Sequence, residues 1–182
     1  EMCIRDSSYS RVVLALLAYA KSKFVRFRVI VTQALPSDSS TTNGNDMYKA
    51  LKELDIPASL IHDSQVGFVI NKVDKVFMGA EGVSESGGII NHMGSYQIGV
   101  LANNANKPLY VVSESHKFVR LFPLSPDDLP NDNETNNDND DGFLNIPSVD
   151  FTPHQYITAL ISDLGVLTPS AVSEELIKMW YD

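Results

Sequence analysis

The residues best suited to binding chemistry lie in a glycine-rich, acidic loop at residues 79–88. Gly82, Gly87 and Gly88 let backbone amide groups approach a ligand closely. A helical pattern follows from Ile89, and the positive end of a helix dipole favours a phosphate or a carboxylate. The sequence therefore predicts an anion-binding site at this loop, with tight turns as the alternative explanation of the glycines.

Two further features narrow the chemistry of that site. The glycine spacing matches neither GxGxxG nor GxxxxGK[ST], so the loop has neither a dinucleotide fingerprint nor a nucleotide P-loop. A second polar loop offers Lys117 and Arg120 as phosphate contacts, and Lys117 is the stronger candidate. His62, His116 and His154 lie far apart in sequence without metal-ligand spacing, so we predict no metal site.

Alternating helical and extended patterns must position these two loops. Helices are predicted over 12–20, 46–54, 65–73, 89–104 and from Thr168 onward, and strands over 24–32, 58–61, 75–79, 108–113 and 156–162. Ser8 or Ser10 would cap the first helix. The short connections predict an α/β, Rossmann-like fold with a mainly parallel sheet and helices on both faces. Its strand ends would bring the two polar loops together.

Length and composition fit one globular domain with a polar insert. The chain has 182 residues, 43% of them hydrophobic, and contains no run of the roughly 20 apolar residues that a membrane span needs. Residues 127–141 hold seven acidic side chains and no basic one, so the rest of the chain carries only −2 of the net charge of −9. No basic stripe for nucleic acid is left. We expect residues 126–147 to form a disordered loop.

The first seven residues, EMCIRDS, match the translation of a transposon-end adapter used in sequencing libraries. We interpret residues 1–7 as an artefact fused to a Rossmann-like domain at residues 8–182, with a genuine N-terminal segment as the alternative. Cys3 is the single cysteine, so we expect no intramolecular disulfide and no Cys-based metal cluster.

Several stretches of the chain resemble one family. They are GAEGV, SGGIIN, NKPLYVV and SESHKFVRLFPL, followed near the end by ITALISDLGVLTPSAVSEELIKMWYD. They are similar to the C-terminal Rossmann-like domain of the family that contains the alpha, beta and delta subunits of eukaryotic translation initiation factor 2B and the sugar-phosphate isomerases. The residues of these motifs resemble the alpha branch, and the resemblance covers residues 8–182 apart from two polar inserts. It implies that a helical N-terminal domain precedes this region and is missing here.

The resemblance implies a regulatory, non-catalytic subunit of the guanine nucleotide exchange complex of initiation factor 2B, acting in assembly and in sensing phosphorylated initiation factor 2. The implied partners are the beta, gamma, delta and epsilon subunits, initiation factor 2 and a second copy of this chain as a homodimer. The implied location is the cytosol. No cofactor, no direct contact with nucleic acid and no membrane contact are implied. The alternative is a sugar-phosphate isomerase, or a sugar-phosphate-binding sensor of the same fold.

The isomerases of the family differ from this chain at the residues that the resemblance aligns with their site. They have an aspartate where Glu81 follows a Gly-Ala pair, a cysteine near the position of Ser8, and a lysine at the position of His92. A displaced acid and a missing thiolate make catalysis unfavourable, while binding of an anion or phosphosugar is expected to persist. The ligand-binding residues that we predict are Glu81, Gly82, Gly87, Gly88, Asn91 and Lys117.

Overall fold

The computed structural model of the chain describes residues 2–5, 10–33, 44–120 and 149–181. Its eleven described strands are β1 Met2–Arg5, β2 Val29–Thr32, β3 Ala58–Ile61, β4 Lys75–Met78, β5 Gly82–Ser84, β6 Ile89–His92, β7 Leu109–Val112, β8 Phe118–Val119, β9 Val149–Thr152, β10 Ala159–Ser162 and β11 Gly165–Leu167. The described helices are α1 Arg11–Ser22, α2 Gly44–Glu53, α3 Val66–Val69, α4 Ser95–Asn104 and α5 Ala171–Tyr181. None of the described helices is long and apolar enough to cross a membrane.

The strands form two sheets. The larger sheet has seven strands in the order β11-β10-β7-β4-β1-β2-β3, and every neighbouring pair is parallel except β10 with β11. The smaller sheet has the order β8-β5-β6-β9, with β6 antiparallel to both of its neighbours. The predicted Rossmann-like, mainly parallel α/β fold is therefore confirmed.

Alternate residues of the central strands pack into two hydrophobic cores, one on each face of the large sheet. Val76 and Met78 of β4 join a core with α4 and α5, whereas Phe77 between them joins the core of α1 and α2. This period of two is that of a strand buried on both sides, as βαβ crossovers require. The prediction of helices on both faces follows from the same alternation and is confirmed.

Most predicted elements occur near their predicted positions. The strand at Ala58–Ile61 has the predicted bounds, and the helix predicted over 46–54 is α2. Ser10 caps α1, because its Oγ accepts a hydrogen bond from the amide of Val13 at 3.2 Å. The helix predicted over 65–73 is the short α3, which lies between two 3₁₀ turns, Asp63–Gln65 and Ile70–Lys72.

Two strand predictions were too long at their start. In the segment predicted as a strand over 24–32, the amide of Phe24 still bonds the carbonyl of Lys21 at 2.8 Å, so this residue closes α1 and β2 begins only at Val29. In the segment predicted over 156–162, the first residue ends a 3₁₀ turn, and the strand is β10. The last helix begins at Ala171, after a turn in which the Ala171 amide bonds the carbonyl of Thr168 at 3.0 Å.

The helix predicted over 89–104 was wrong in its first third. Ile89–His92 is strand β6, which pairs with both β5 and β9, and α4 begins only at Ser95. The run Ile-Ile-Asn-His is short and apolar enough to suit either structure, so its partners in the small sheet decide it.

The segment that we interpret as adapter-derived contributes β1. Met2–Arg5 pairs in parallel with β2 on one side and β4 on the other. Strand pairing uses backbone groups that nearly every residue supplies, so this position does not bear on the origin of the segment. The acidic insert predicted over 126–147 lies outside the described residues, as does Ser8.

Candidate functional site

A cavity of about 230 Å³ opens where the strand order of the large sheet reverses. β1 runs on to β2 and β3 on one side, whereas β4 and β7 lie on the other side, so the reversal falls between β1 and β4. Ligands of open α/β sheets bind at this point, outside the carboxyl ends of the strands. We call this cavity the switch-point pocket, and its lining residues are Ser10, Arg11, Val12, Gly79, Ala80, Glu81, Asn91, Glu114, His116 and Lys117.

The segment after β4 forms the floor of the pocket and is tied to two other segments. The carbonyl of Gly79 accepts a hydrogen bond from Asn91 Nδ2 at 3.2 Å. The carbonyl of Ala80 accepts one from Lys117 Nζ at 3.0 Å. Asn91 lies in the small sheet and Lys117 follows β7, so these two bonds draw three separate parts of the chain around one cavity.

Glu81 and His92 form a hydrogen-bonded pair beside the pocket, with 2.9 Å between Glu81 Oε1 and His92 Nε2. The hydrogen bond from His92 holds the pKa of the Glu81 carboxyl below its ordinary value of 4.5, against the opposing effect of partial burial. Lys117 adds a smaller attraction that acts in the same direction. Glu81 is therefore an ionised hydrogen-bond acceptor at neutral pH.

The loop after β7 brings both signs of charge to the opposite wall. Lys117 Nζ lies 3.8 Å from Glu114 Oε2, and His116 Nε2 lies 3.9 Å from the same oxygen. Arg11 begins α1 at the third wall, next to the capping residue Ser10. The guanidinium, the ammonium and the N-terminus of a 12-residue helix suit a small anion. The ionised Glu81 can only accept hydrogen bonds from hydroxyl groups that such an anion carries, whereas the Asn91 amide can donate or accept.

The structure brings three of the six predicted ligand residues together, namely Glu81, Asn91 and Lys117. Gly82, Gly87 and Gly88 do not line the switch-point pocket. Gly87 has φ +80°, and a Cβ there would stand 2.2 Å from the carbonyl oxygen of Pro169. A Cβ on Gly88 would stand 2.5 Å from the ring of Phe151. Both positions have a packing reason for glycine, whereas a ligand role for all six residues stays a prediction.

The anion that we predicted for the helix after the glycine loop has a counterpart in the protein itself. α4 begins beside β9, and Asp150 Oδ2 accepts hydrogen bonds from the amides of Gly94 at 2.7 Å and Tyr96 at 3.1 Å. The carboxylate therefore occupies the position of the expected ligand. Of the two helix N-termini, it is that of α1 that faces the switch-point pocket.

The sequence analysis did not propose Arg11, Glu114 or His116 as ligand residues, although Glu114 lies on the same polar loop as Lys117. It treated Ser10 only as a cap and His116 only as a surface or core residue. A signal was available, because the segment that follows the first strand of a doubly wound sheet meets the switch point. The interpretation of residues 1–7 as an artefact hid this signal, because it left β1 out of the predicted sheet.

Comparison with known proteins places this chain in one family. A family model described as the initiation factor 2 subunit family matches residues 2–169. The chain belongs to the initiation factor 2 subunit family. It is 42% identical over 188 residues to translation initiation factor eIF2B subunit alpha of Dictyostelium discoideum, covering 94% of this chain and 57% of that protein. It is 38% identical over 182 residues to the protein of the same name from Caenorhabditis elegans, covering 98% and 58%.

Other members of the initiation factor 2 subunit family are more distant. A ribose 1,5-bisphosphate isomerase of Archaeoglobus fulgidus is 30% identical over 166 residues, which cover 88% of this chain and 52% of that protein. The crystal structure of translation initiation factor eIF-2B from Pyrococcus horikoshii OT3 superimposes with a TM-score of 0.76 at 25% identity, covering 92% of this chain and 58% of that one. The chain thus spans little more than half the length of these relatives.

Proposed function

We propose that this chain is the Rossmann-like part of a regulatory, non-catalytic subunit of the eIF2B guanine nucleotide exchange complex, corresponding to the alpha subunit. The observation that carries the proposal is the identity of 42% and 38% to two alpha subunits over nearly the whole of this chain. The subunit works in the cytosol and assembles with the beta, gamma, delta and epsilon subunits. It pairs with a second copy of itself, and the complex binds initiation factor 2.

Regulation by such a subunit is a coupling between binding events. Phosphorylated initiation factor 2 binds one arrangement of the complex better than another, which shifts the population of arrangements. In the arrangement that the phosphorylated factor favours, the complex releases GDP from initiation factor 2 more slowly. The chain contributes a rigid body and an interface to this coupling, and the exchange chemistry belongs to another subunit.

The state of Glu81 supports the non-catalytic part of the proposal. A general base works best when its pKa lies near the operating pH. The hydrogen bond from His92 at 2.9 Å moves the pKa of Glu81 in the opposite direction. The lining of the switch-point pocket includes serine but no cysteine among the described residues, so a thiolate nucleophile is lacking there.

A GDP-release assay tests the regulatory role. The full gene product that contains this chain is added to a complex of the other four subunits, and GDP release from initiation factor 2 is followed with and without phosphorylation of that factor. We expect phosphorylation to slow exchange only when the chain is present. Equal inhibition in its absence would overturn the regulatory role.

An isomerase or a sugar-phosphate sensor is the second candidate. It is favoured by the 30% identity to a ribose 1,5-bisphosphate isomerase and by a pocket that collects Arg11, Lys117 and a helix N-terminus. Incubation with ribose 1,5-bisphosphate and detection of the ketose product tests the enzyme, and no turnover is the expected result. A thermal-shift screen with phosphosugars tests the sensor, for which a rise in melting temperature is the supporting result.

A further inference from the structure

The pocket wall that carries His116 and Lys117 is a single 3₁₀ turn, Ser115–Lys117. Within it, the amide of Lys117 bonds the carbonyl of Glu114 at 3.1 Å. The amide of Phe118 adds a second bond, to the carbonyl of Ser115. One turn with two such bonds is a weak unit, since helical structure gains stability only as further bonds are added. The position of the Lys117 ammonium therefore depends on contacts from outside the turn.

Besides the bond from Lys117 Nζ to the Ala80 carbonyl at 3.0 Å, the turn receives two hydrogen-bond contacts from Asp163. Its Oδ1 accepts a hydrogen bond from the backbone amide of Ser115 at 2.7 Å, and its Oδ2 accepts one from Ser115 Oγ at 2.7 Å. Both bonds are short, which is typical of a charged acceptor. They lower the pKa of the Asp163 carboxyl, so this group stays ionised at neutral pH. Asp163 is not among the residues that line the switch-point pocket.

The hairpin between β10 and β11 holds Asp163 in place. β10 pairs in parallel with β7, and the amide of Ser113 bonds the carbonyl of Ile161 at 3.0 Å just beyond the paired residues. Two residues beyond Ser113 and two residues beyond Ile161, Ser115 and Asp163 face each other. The connection between β10 and β11 is closed by Ser162 Oγ, which accepts a hydrogen bond from the amide of Leu164 at 3.2 Å and donates one to the carbonyl of Gly165 at 3.2 Å.

We propose that Asp163 is a positioning residue of the switch-point pocket, which fixes the Ser115–Lys117 turn so that Lys117 and His116 face the anion. It acts through Ser115 and does not touch the ligand. The inference rests on the proposed ligand role of the pocket and adds a residue 46 positions beyond Lys117 in the chain.

Substitutions at the two ends of this contact separate geometry from charge. Asp163→Ala removes both hydrogen bonds, and Ser115→Ala removes only the bond to Oγ. Asp163→Asn keeps both contacts, since an amide oxygen can accept from the Ser115 amide while the NH₂ group donates to Ser115 Oγ. Glu53→Ala on α2 removes one exposed negative charge away from the pocket and serves as the matched charge control.

Binding of inorganic phosphate, followed by NMR at a temperature where all variants are folded, tests the proposal. We expect Asp163→Ala to weaken phosphate binding about tenfold, roughly the effect of losing one hydrogen bond to a charged group. Asp163→Asn should restore affinity to within about threefold of the unmodified chain, and Glu53→Ala should leave it unchanged. Recovery by asparagine separates positioning from a general effect of charge. Equal affinities for Asp163→Ala and the unmodified chain would overturn the proposal.

A second measurement keeps this inference distinct from the ligand role. Labelling of the Lys117 amine by an amine-reactive reagent, read by mass spectrometry, reports its position without any ligand. We expect faster labelling in Asp163→Ala and an unchanged rate in Asp163→Asn. If the unmodified chain binds no phosphate, the ligand role of the pocket fails. The labelling rates then decide on Asp163 alone, and equal rates in all variants would refute its positioning role.

Discussion

At the scale of single residues, the pair of Glu81 and His92 sets the character of the switch-point pocket. Glu81 occupies the position where the isomerases of the family are expected to have a shorter acid, and its carboxylate bonds His92 Nε2 at 2.9 Å. The hydrogen bond from the His92 imidazole thus holds an ionised carboxylate in place. This pair gives the pocket a fixed, ionised acceptor, whereas a general base works best with a pKa near the operating pH.

Replacing His92 tests the origin of the Glu81 ionisation. In His92→Ala the pKa of Glu81 should rise. The hydrogen bond from His92 is the largest cause that lowers this pKa, and without it the opposing effect of partial burial is less balanced. The Glu81 carboxyl carbon, followed by NMR titration, reports this directly. An unchanged titration curve in the variant would contradict the assignment.

The same pair makes a predictable contribution to the pH dependence of folding. The pKa of Glu81 is lower in the folded chain than its ordinary value of 4.5. Its contribution to stability is therefore present above that value and is lost as the pH falls through the folded pKa. The side chain of Glu81 is 41% exposed, so solvent screening keeps this contribution small. Urea denaturation at a series of pH values should show His92→Ala losing less stability on acidification.

At the scale of elements, the small sheet explains why the glycine loop has its composition. β5 and β6 form a tight hairpin, in which the amide of Gly87 bonds the carbonyl of Ser84 at 2.8 Å. The turn packs directly on the segment before α5, because a Cβ at Gly87 would lie 2.2 Å from the oxygen of Pro169. The glycines thus bring the small sheet against the end of the chain.

Gly87→Ala should destabilise the fold by about 2–4 kcal/mol, from a left-handed backbone and an overpacked contact together. Gly67→Ala is the matched control. Gly67 lies exposed in α3 with open space around its Cβ position, and alanine there should stabilise the helix by up to about 1 kcal/mol. Urea denaturation of both variants measures the difference. Equal midpoints for Gly87→Ala and the unmodified chain would contradict the packing role.

Asp150 caps α4 from a strand 54 residues further along the chain than Tyr96. Asp150→Ala should cost about 1–2 kcal/mol, the usual loss when a cap is removed. Asp150→Asn should cost less, because its amide oxygen still accepts a hydrogen bond. The free energy of unfolding in urea measures both variants. An alanine variant as stable as the unmodified chain would show that the carboxylate does not cap the helix.

The elements also show how far the sequence could be read. Hydrophobic periodicity predicted α2 and Ala58–Ile61 well, because their patterns are long or clearly bounded. It misassigned Ile89–His92, because a four-residue apolar run takes its structure from partners in β5 and β9. The cap from Asp150 and the contact of Asp163 with Ser115 join residues about 50 positions apart. A local sequence pattern cannot predict such pairs, because their members are distant along the chain.

At the scale of the whole molecule, the reversal of strand order decides where the site lies. Glu81, Asn91 and Lys117 could be predicted from the loops and from the family resemblance, and the fold brings them to one cavity. Arg11 was not predicted, because it belongs to the cavity through the position of β1 between β4 and β2, and β1 itself was not predicted. The origin of β1 stays a prediction, and resequencing the locus without adapters tests it.

We propose that the whole subunit containing this chain assembles into an exchange complex. Native mass spectrometry of the full gene product, mixed with the beta, gamma, delta and epsilon subunits, tests it most directly. We expect one complex that holds two copies of this subunit and two sets of the other four. A subunit that stays apart from the other four as a homo-oligomer would contradict the claim and would leave the phosphosugar chemistry of the switch-point pocket as the function to pursue.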